Sequence, residues 1–147
     1  MSHTWQEYQE KAAEFFRKLG LDAYVEKKVD GVRGSHDIDV YVEGSYKGIQ
    51  FKWVVECKAW GSNIPKEKVM ALYTIVQDVG ADRGFLLSEK GFQSGAIRAS
   101  NNSNITLTSL QDMSENTNDY LLNSLLEGIF WRLSKSQRRL RDIETVI

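Results

Sequence analysis

The sequence predicts an α/β sandwich in which helices pack on a mixed central β-sheet. The first observation is the order of the apolar patterns, which is helix, three strands, helix, strand, helix, strand and one or two final helices. The second is that a tight turn joins two of the strands, as in an antiparallel hairpin. The third is a later strand that is apolar throughout, as strands buried on both faces of a parallel sheet are. A sheet with both kinds of strand is mixed.

The first half of the chain is predicted to form one helix and three strands. Apolar side chains recur at helical spacing from residue 4 to residue 19, and Gly20 supplies a stop. The strands are predicted at residues 22–29, 36–44 and 49–60, with "GSYKG" joining the last two. In the middle strand, alternation predicts one face with Ile38, Val40 and Val42 and the other with Asp37, Asp39 and Tyr41.

The second half is predicted to alternate helices and strands. Pro65 opens a helix that runs to about Val79, and strands follow at residues 83–88 and 105–110 with the helix of "QSGAIRAS" between them. From about residue 112 the tail is predicted to be helical, with a stripe of Leu and Ile before the basic segment "KSQRRLR". We therefore expect a core domain over residues 1–110 and a helical extension over residues 111–147, packed on the same domain.

The composition excludes several classes of function. The formal net charge of −1 excludes binding of nucleic acid by bulk positive charge, so any such contact must come from local patches. A single cysteine excludes an internal disulfide, and with two histidines it does not complete a structural zinc site. No apolar run is long enough to span a membrane, and a reducing cytoplasm is the expected setting.

Charged side chains interrupt the apolar strand "WVVECKAW". Glu56 and Lys58 lie two residues apart, hence on one face, and ionised groups are costly to desolvate unless they are paired or used. If the hairpin pairs as predicted, Asp39 converges with them, and two close carboxylates favour a bound Mg²⁺ with Lys58 beside a water or a phosphate. The alternatives are an exposed salt bridge for the Glu56 and Lys58 pair and a solubilising role for Asp39.

This pattern resembles a known family of nucleases. Asp39, followed 17 positions later by "ECK", resembles the D…(D/E)xK motif of the restriction-endonuclease-like nucleases, and most of all the Mrr-type restriction endonucleases. The "HDIDV" strand and the segment "VGADRGFLLSEKGFQSGAIRAS" add to the likeness, which extends over about residues 5–110. The resemblance implies an αβββαβ core and a DNA endonuclease of restriction, defence or DNA processing that depends on Mg²⁺, with Mn²⁺ as a substitute.

The resemblance also assigns roles to residues. Asp39 and Glu56 are expected to ligate the metal together with the backbone carbonyl of Cys57, and Lys58 to position the attacking water. Gln9, which follows Tyr8, stands where the family often has a further acidic residue on the first helix. Weaker candidates for DNA contact are Gln93, Arg98, Lys135, Arg138 and Arg139.

Other functions remain open at this stage. One is a catalytically silent DNA-binding or assembly module on the same fold, which the neutral Gln9 favours. Another is a structure-specific nuclease that cuts DNA junctions, and RNA is a further possible substrate. The length leaves little room for target recognition, so a recognition or activating partner is a further alternative. A homodimer is another, by analogy with nucleases that cut both strands.

Overall fold

The computed structural model describes residues 2–58 and 61–116, and only the backbone of residues 2–4. Its helices and strands are α1 (Ser2–Lys18), β1 (Asp22–Asp30), β2 (Ser35–Tyr46), β3 (Ile49–Lys58), α2 (Lys66–Val79), β4 (Arg83–Ser88), α3 (Ser94–Ser100) and β5 (Ile105–Thr108). A further helical stretch covers residues 110–116. The order of elements agrees with the sequence prediction.

The five strands form one sheet in the order β1-β2-β3-β4-β5. The β1–β2 and β2–β3 pairs are antiparallel, whereas the β3–β4 and β4–β5 pairs are parallel. At the β2–β3 turn, Lys47 and Gly48 have φ values of 52° and 83°, as a two-residue hairpin with the right-handed twist of its strands requires. The predicted mixed α/β sheet is therefore confirmed.

Helices cover the sheet through two apolar clusters. One cluster joins α1 to the strands and consists of Ala12, Ala13, Phe16, Ala23, Val40, Val42, Val55, Cys57 and Leu87. The other joins α2 and α3 to the strands and includes Ile38, Tyr41, Val54, Val69, Leu72, Val76, Leu86 and Ala96. Adjacent residues of β3, Val54 and Val55, belong to different clusters because successive side chains of a strand point to opposite faces.

The prediction that Ile38, Val40 and Val42 share one face is wrong. Ile38 belongs to the α2 cluster, whereas Val40 and Val42 belong to the α1 cluster. The regular alternation fails at Asp39, where the β1–β2 ladder passes from the pair Val25↔Val40 to the pair Lys27↔Ile38. Glu26, which lies opposite, has a φ of 51°. This left-handed residue breaks the local pleat, so β2 changes its buried face there.

The last predicted strand is shorter than expected. It ends at Thr108 and not at residue 110, because the Ser109 hydroxyl accepts the amide of Asp112 at 2.9 Å and so begins a helix. Residues 1–113 form one compact unit, and residues 114–147 are grouped as a second. The predicted Leu/Ile stripe and the basic "KSQRRLR" segment lie outside the described residues. Within the described ranges, no helix is long and apolar enough to cross a membrane.

Candidate active site

The structure brings Asp39, Glu56 and Lys58 together, but not Gln9. The β2–β3 ladder ends at the pair Val40↔Val55, and one further step in that register sets Asp39 against Glu56. A cavity of about 310 Å³ is lined by Asp39, Glu56, Cys57 and Lys58, with Trp5 and Ile64 completing its wall. Residues that are 17 positions apart in the sequence thus share one small cavity.

A hydrogen bond to the backbone fixes the Asp39 carboxylate. Its Oδ2 accepts the amide of Cys57 at 2.9 Å. The backbone N–H of Cys57 therefore points towards β2, past the last pair of the β2–β3 ladder. Its acceptor is the Asp39 side chain and not a backbone carbonyl of β2. In a strand, the N–H and C=O of one residue point to the same neighbour, so the Cys57 carbonyl also faces the Asp39 side. The Asp39 carboxylate and the Cys57 backbone thus lie together at the cavity that Glu56 also lines.

The Glu56 carboxyl is electrostatically unusual. Burial raises its pKa to about 7, and the negative charge of Asp39 contributes to the rise. The positive charges of Lys58 and Lys68 oppose this effect. Without a cation, Glu56 therefore keeps its proton to a higher pH than an ordinary glutamate does.

Lys68 was not predicted from the sequence. It lies in the first turn of α2, its side chain is exposed, and its charge acts on Glu56. The sequence signal for Lys68 is its position three residues after Pro65. This places it at the start of α2, the first helix after β3.

The Cys57 side chain is separate from this chemistry. Its thiol is 1% exposed, lies in the α1 cluster, and has a pKa raised mainly by burial. A buried thiol with a raised pKa is unreactive. The Cys57 side chain thus acts as a small buried hydrophobic group, which leaves its backbone as the part that faces the site.

Gln9 is buried on the inner side of α1. Its side chain is 0% exposed, and neither amide atom has a hydrogen-bond partner within the described part of the chain. Gln9 follows Trp5 by one helical turn, and such residues share a face, but only Trp5 lines the cavity. By contrast, the nearby Glu10 and Glu14 are exposed and pair with Arg17 at 2.8 and 2.7 Å.

Two of the weaker candidates for DNA contact, Gln93 and Arg98, fall within the described residues, and neither lines the cavity. Gln93 caps α3, and its Nε2 lies 3.5 Å from the carbonyl of Asn63. The backbone N–H of Gln93 donates to the backbone carbonyl of the cavity residue Ile64 at 2.9 Å. Gln93 therefore lies close to the rim of the cavity. Arg98 is exposed on α3. The basic residues Lys135, Arg138 and Arg139 lie outside the described residues.

Other conspicuous residues have structural roles. Trp53 packs among aromatic rings, with 4.7 Å between its ring centroid and that of Phe51 and 5.3 Å to that of Phe85. His36 is the second residue of β2 and bonds the Asp78 carboxylate at 2.6 Å. A larger cavity of about 660 Å³ is lined by three carboxylates and Lys52, but its pair Glu43↔Lys52 lies in the middle of the β2–β3 ladder, away from the end at Asp39 and Glu56. We therefore assign the site by its chemistry and not by its volume.

The donor set fits a hard divalent cation. Two carboxylates and a backbone carbonyl are oxygen ligands, which suit Mg²⁺ and Mn²⁺ and not zinc. Among the described residues, no group of three or more His, Cys, Asp or Glu side chains could hold a metal. A cation here therefore needs water or substrate oxygens to complete its shell, as Mg²⁺ sites at phosphates generally do.

Comparison with known proteins identifies the family and the fold. A family model of the Mrr catalytic domain, described as a restriction endonuclease, matches residues 1–116. The crystal structure of a protein of unknown function, AF1548, shares the fold with a TM-score of 0.59 and 20% identity, over 69% of this chain and 57% of that one.

A second structure is the DNA modification-dependent restriction endonuclease AspBHI, with a TM-score of 0.46 and 18% identity over 74% of this chain and 31% of that one. No curated protein matches the chain. The chain thus spans less than two thirds of the length of either solved structure. On the extent of the family match, the chain belongs to the restriction endonuclease family of the Mrr catalytic domain.

Proposed function

We propose that the chain is a DNA endonuclease that hydrolyses phosphodiester bonds with Mg²⁺, for which Mn²⁺ substitutes. The observation that carries the proposal is the convergence of Asp39 and Glu56 beside Lys58 in one cavity, with the Glu56 pKa raised to about 7. Two carboxylates that repel each other are costly for the fold unless a cation joins them. Perturbed carboxyl groups in a cavity are typical of functional sites.

In this proposal, Asp39, Glu56 and the Cys57 carbonyl hold the cation. The bound cation supplies positive charge to the scissile phosphate. The amide of Cys57 keeps Asp39 in one orientation through the 2.9 Å hydrogen bond. Glu56 would hold a proton in the absence of a cation, and a cation would supply the neutralising charge in its place. The Lys58 ammonium orients the attacking water and opposes the charge that develops on the phosphate.

The setting of the reaction is also a proposal. The single cysteine is consistent with a reducing cytoplasm. The cavity of about 310 Å³ accepts a phosphate and its neighbouring groups and offers little surface to read a DNA sequence. A homodimer, or a partner that recognises or activates, is therefore expected to supply target selection.

The test is cleavage of supercoiled plasmid with Mg²⁺, Mn²⁺ or EDTA. We expect nicking or linearisation that needs the metal and is lost in Asp39→Asn and Lys58→Ala. The matched control is Asp37→Asn, because this exposed carboxylate lies two residues from Asp39 on the same strand and outside the cavity. Full activity of Asp39→Asn would show that the assignment is wrong.

One observation favours a second candidate, a DNA-binding or assembly module without catalysis. The buried amide of Gln9 is neutral, whereas the family resemblance leads us to expect an acid at this position. Without an acid at this position, the site has less negative charge to offer a cation. Folded wild-type protein that binds DNA in a fluorescence anisotropy assay, but cleaves neither methylated, unmethylated nor branched DNA with either metal, would favour this candidate.

A further inference from the structure

The carboxylate of Glu89 joins three parts of the chain. Glu89 follows the last residue of β4, and its Oε2 accepts both the hydroxyl of Tyr8 on α1 and the amide of Leu110 at 2.9 Å. Its Oε1 accepts the amide of Gln111 at 3.1 Å. Both amides belong to the first turn of the helical stretch 110–116, where a negative charge is favourable.

These bonds end close to the candidate active site. On α1, Tyr8 lies between Trp5, which lines the cavity, and the buried Gln9. On the sheet, Glu89 follows Ser88, which pairs with Lys58 across the β3–β4 ladder. The carboxylate thus bonds to α1 one turn from the cavity residue Trp5, and its own residue follows the strand partner of Lys58.

The Tyr8 ring packs on the face of β3 that is turned towards α1. It packs against the apolar cluster that contains the Cys57 side chain, and the Cys57 amide holds Asp39. Burial and the Glu89 carboxylate raise the pKa of Tyr8, so its hydroxyl stays protonated and donates. Leu110 packs against the same cluster. The first turn of the helix that Glu89 caps therefore lies on the same side of the sheet as Tyr8.

We propose that Glu89 is a positioning residue for the hydrolytic site, which holds α1 and the start of the 110–116 helix against the end of β4. The inference rests on the proposed function, since it names what keeps the site in its active geometry. Glu89 does not line the cavity and takes no part in the chemistry. Its effect passes through Tyr8 to the wall formed by α1.

The mechanism predicts a specific kinetic signature. Loss of the hydrogen bond between Tyr8 and Glu89 leaves Asp39, Glu56 and Lys58 on their strands but loosens α1 against β3. Since a charge-assisted hydrogen bond has a moderate strength and a small misplacement is costly for catalysis, we expect kcat to fall about tenfold with an unchanged KM. A general loss of folding would instead lower the active fraction and the melting temperature.

The experiment compares Tyr8→Phe, Glu89→Gln and Glu89→Ala with wild type. Tyr8→Phe removes one hydroxyl and keeps the ring, and the double variant Tyr8→Phe/Glu89→Ala tests whether the two residues act as a unit. The matched control is Glu10→Gln, which breaks an exposed ion pair on the same helix. Plasmid cleavage gives kcat and KM, and hydrogen exchange of the peptides of α1 reports its mobility.

We expect a lower kcat and faster exchange in α1 for Tyr8→Phe and Glu89→Ala, a double variant no worse than the worse single one, and no change for Glu10→Gln. Glu89→Gln, which keeps one oxygen acceptor, should be intermediate. Wild-type kcat and wild-type exchange in Tyr8→Phe and Glu89→Ala would overturn the positioning role. If wild type itself does not cleave DNA, the proposed function fails, and the exchange of α1 alone still decides whether Glu89 holds this helix.

Discussion

Replacement of Glu56 by glutamine is expected to stabilise the metal-free protein at pH 8. The burial of Glu56 and the charge of Asp39 make the ionised carboxylate unfavourable in the folded state. Glutamine has the same shape and no charge, and its amide can donate a hydrogen bond to Asp39. The substitution therefore removes the repulsion and preserves the packing.

The magnitude follows from the pKa of Glu56. This pKa is raised from 4.5 to about 7, so the folded state binds the proton more tightly than the unfolded state does. The contribution to stability is therefore complete below pH 4.5 and is lost as the pH rises through about 7. At about 1.4 kcal/mol per pKa unit, the full cost of ionisation at pH 8 is about 3 kcal/mol. Water in the cavity screens part of it, and we expect Glu56→Gln to gain about 1–2 kcal/mol.

Urea denaturation and thermal melting at pH 5 and pH 8 measure this gain. At about 2–4 °C per kcal/mol for a chain of this size, the variant should melt several degrees higher at pH 8 and close to wild type at pH 5. Saturating Mg²⁺ should reverse the order at pH 8, since only wild type retains both carboxylates to bind it. A variant that is equally or less stable than wild type at both pH values would refute the electrostatic account of this site.

Three further outcomes are expected. Asp39→Asn should lower the pKa of Glu56 from about 7 towards 4.5, because it removes the neighbouring charge, and a carbon-detected NMR titration of Glu56 would show this. In wild type, Mn²⁺ affinity measured by calorimetry should increase as the pH rises through about 7, and a flat profile would contradict the competition between proton and metal. Gly31→Ala should destabilise the fold by about 1–3 kcal/mol in urea, because its Cβ would lie 2.4 Å from the Asp78 carboxylate, whereas Gly34→Ala meets nothing within 4 Å and should be near neutral.

Much of the fold is predictable because its elements are locally consistent. The apolar periods give the order of helices and strands, and the "GSYKG" turn contains the two left-handed residues, Lys47 and Gly48, of a tight hairpin. Glu56 and Lys58 are conspicuous in the sequence because charges are expensive within an apolar strand. The motif of the family then led to Asp39, which the structure places in the same cavity.

The features that were missed depend on contacts between distant segments. The change of face at Asp39 requires the left-handed conformation of Glu26 on the neighbouring strand, which no periodicity in β2 reveals. The position of Trp5 at the cavity depends on how α1 crosses the sheet. The charge of Lys68 acts on Glu56 from the first turn of α2, and its position there depends on where α2 packs. Each is set by tertiary packing and not by local propensity.

The interrupted ladder beside Asp39 has a consequence for how such a domain evolves. The β3–β4 ladder continues through the pair Lys58↔Ser88, so the strand that bears Glu56 is anchored on that side without Asp39. A lineage that replaces Asp39 loses one hydrogen bond to the Cys57 amide and is also relieved of a repulsion with Glu56. The pairing of β3 with β4 therefore does not depend on Asp39. On the proposed function, a single substitution of Asp39 would remove the catalytic site and leave the sheet intact.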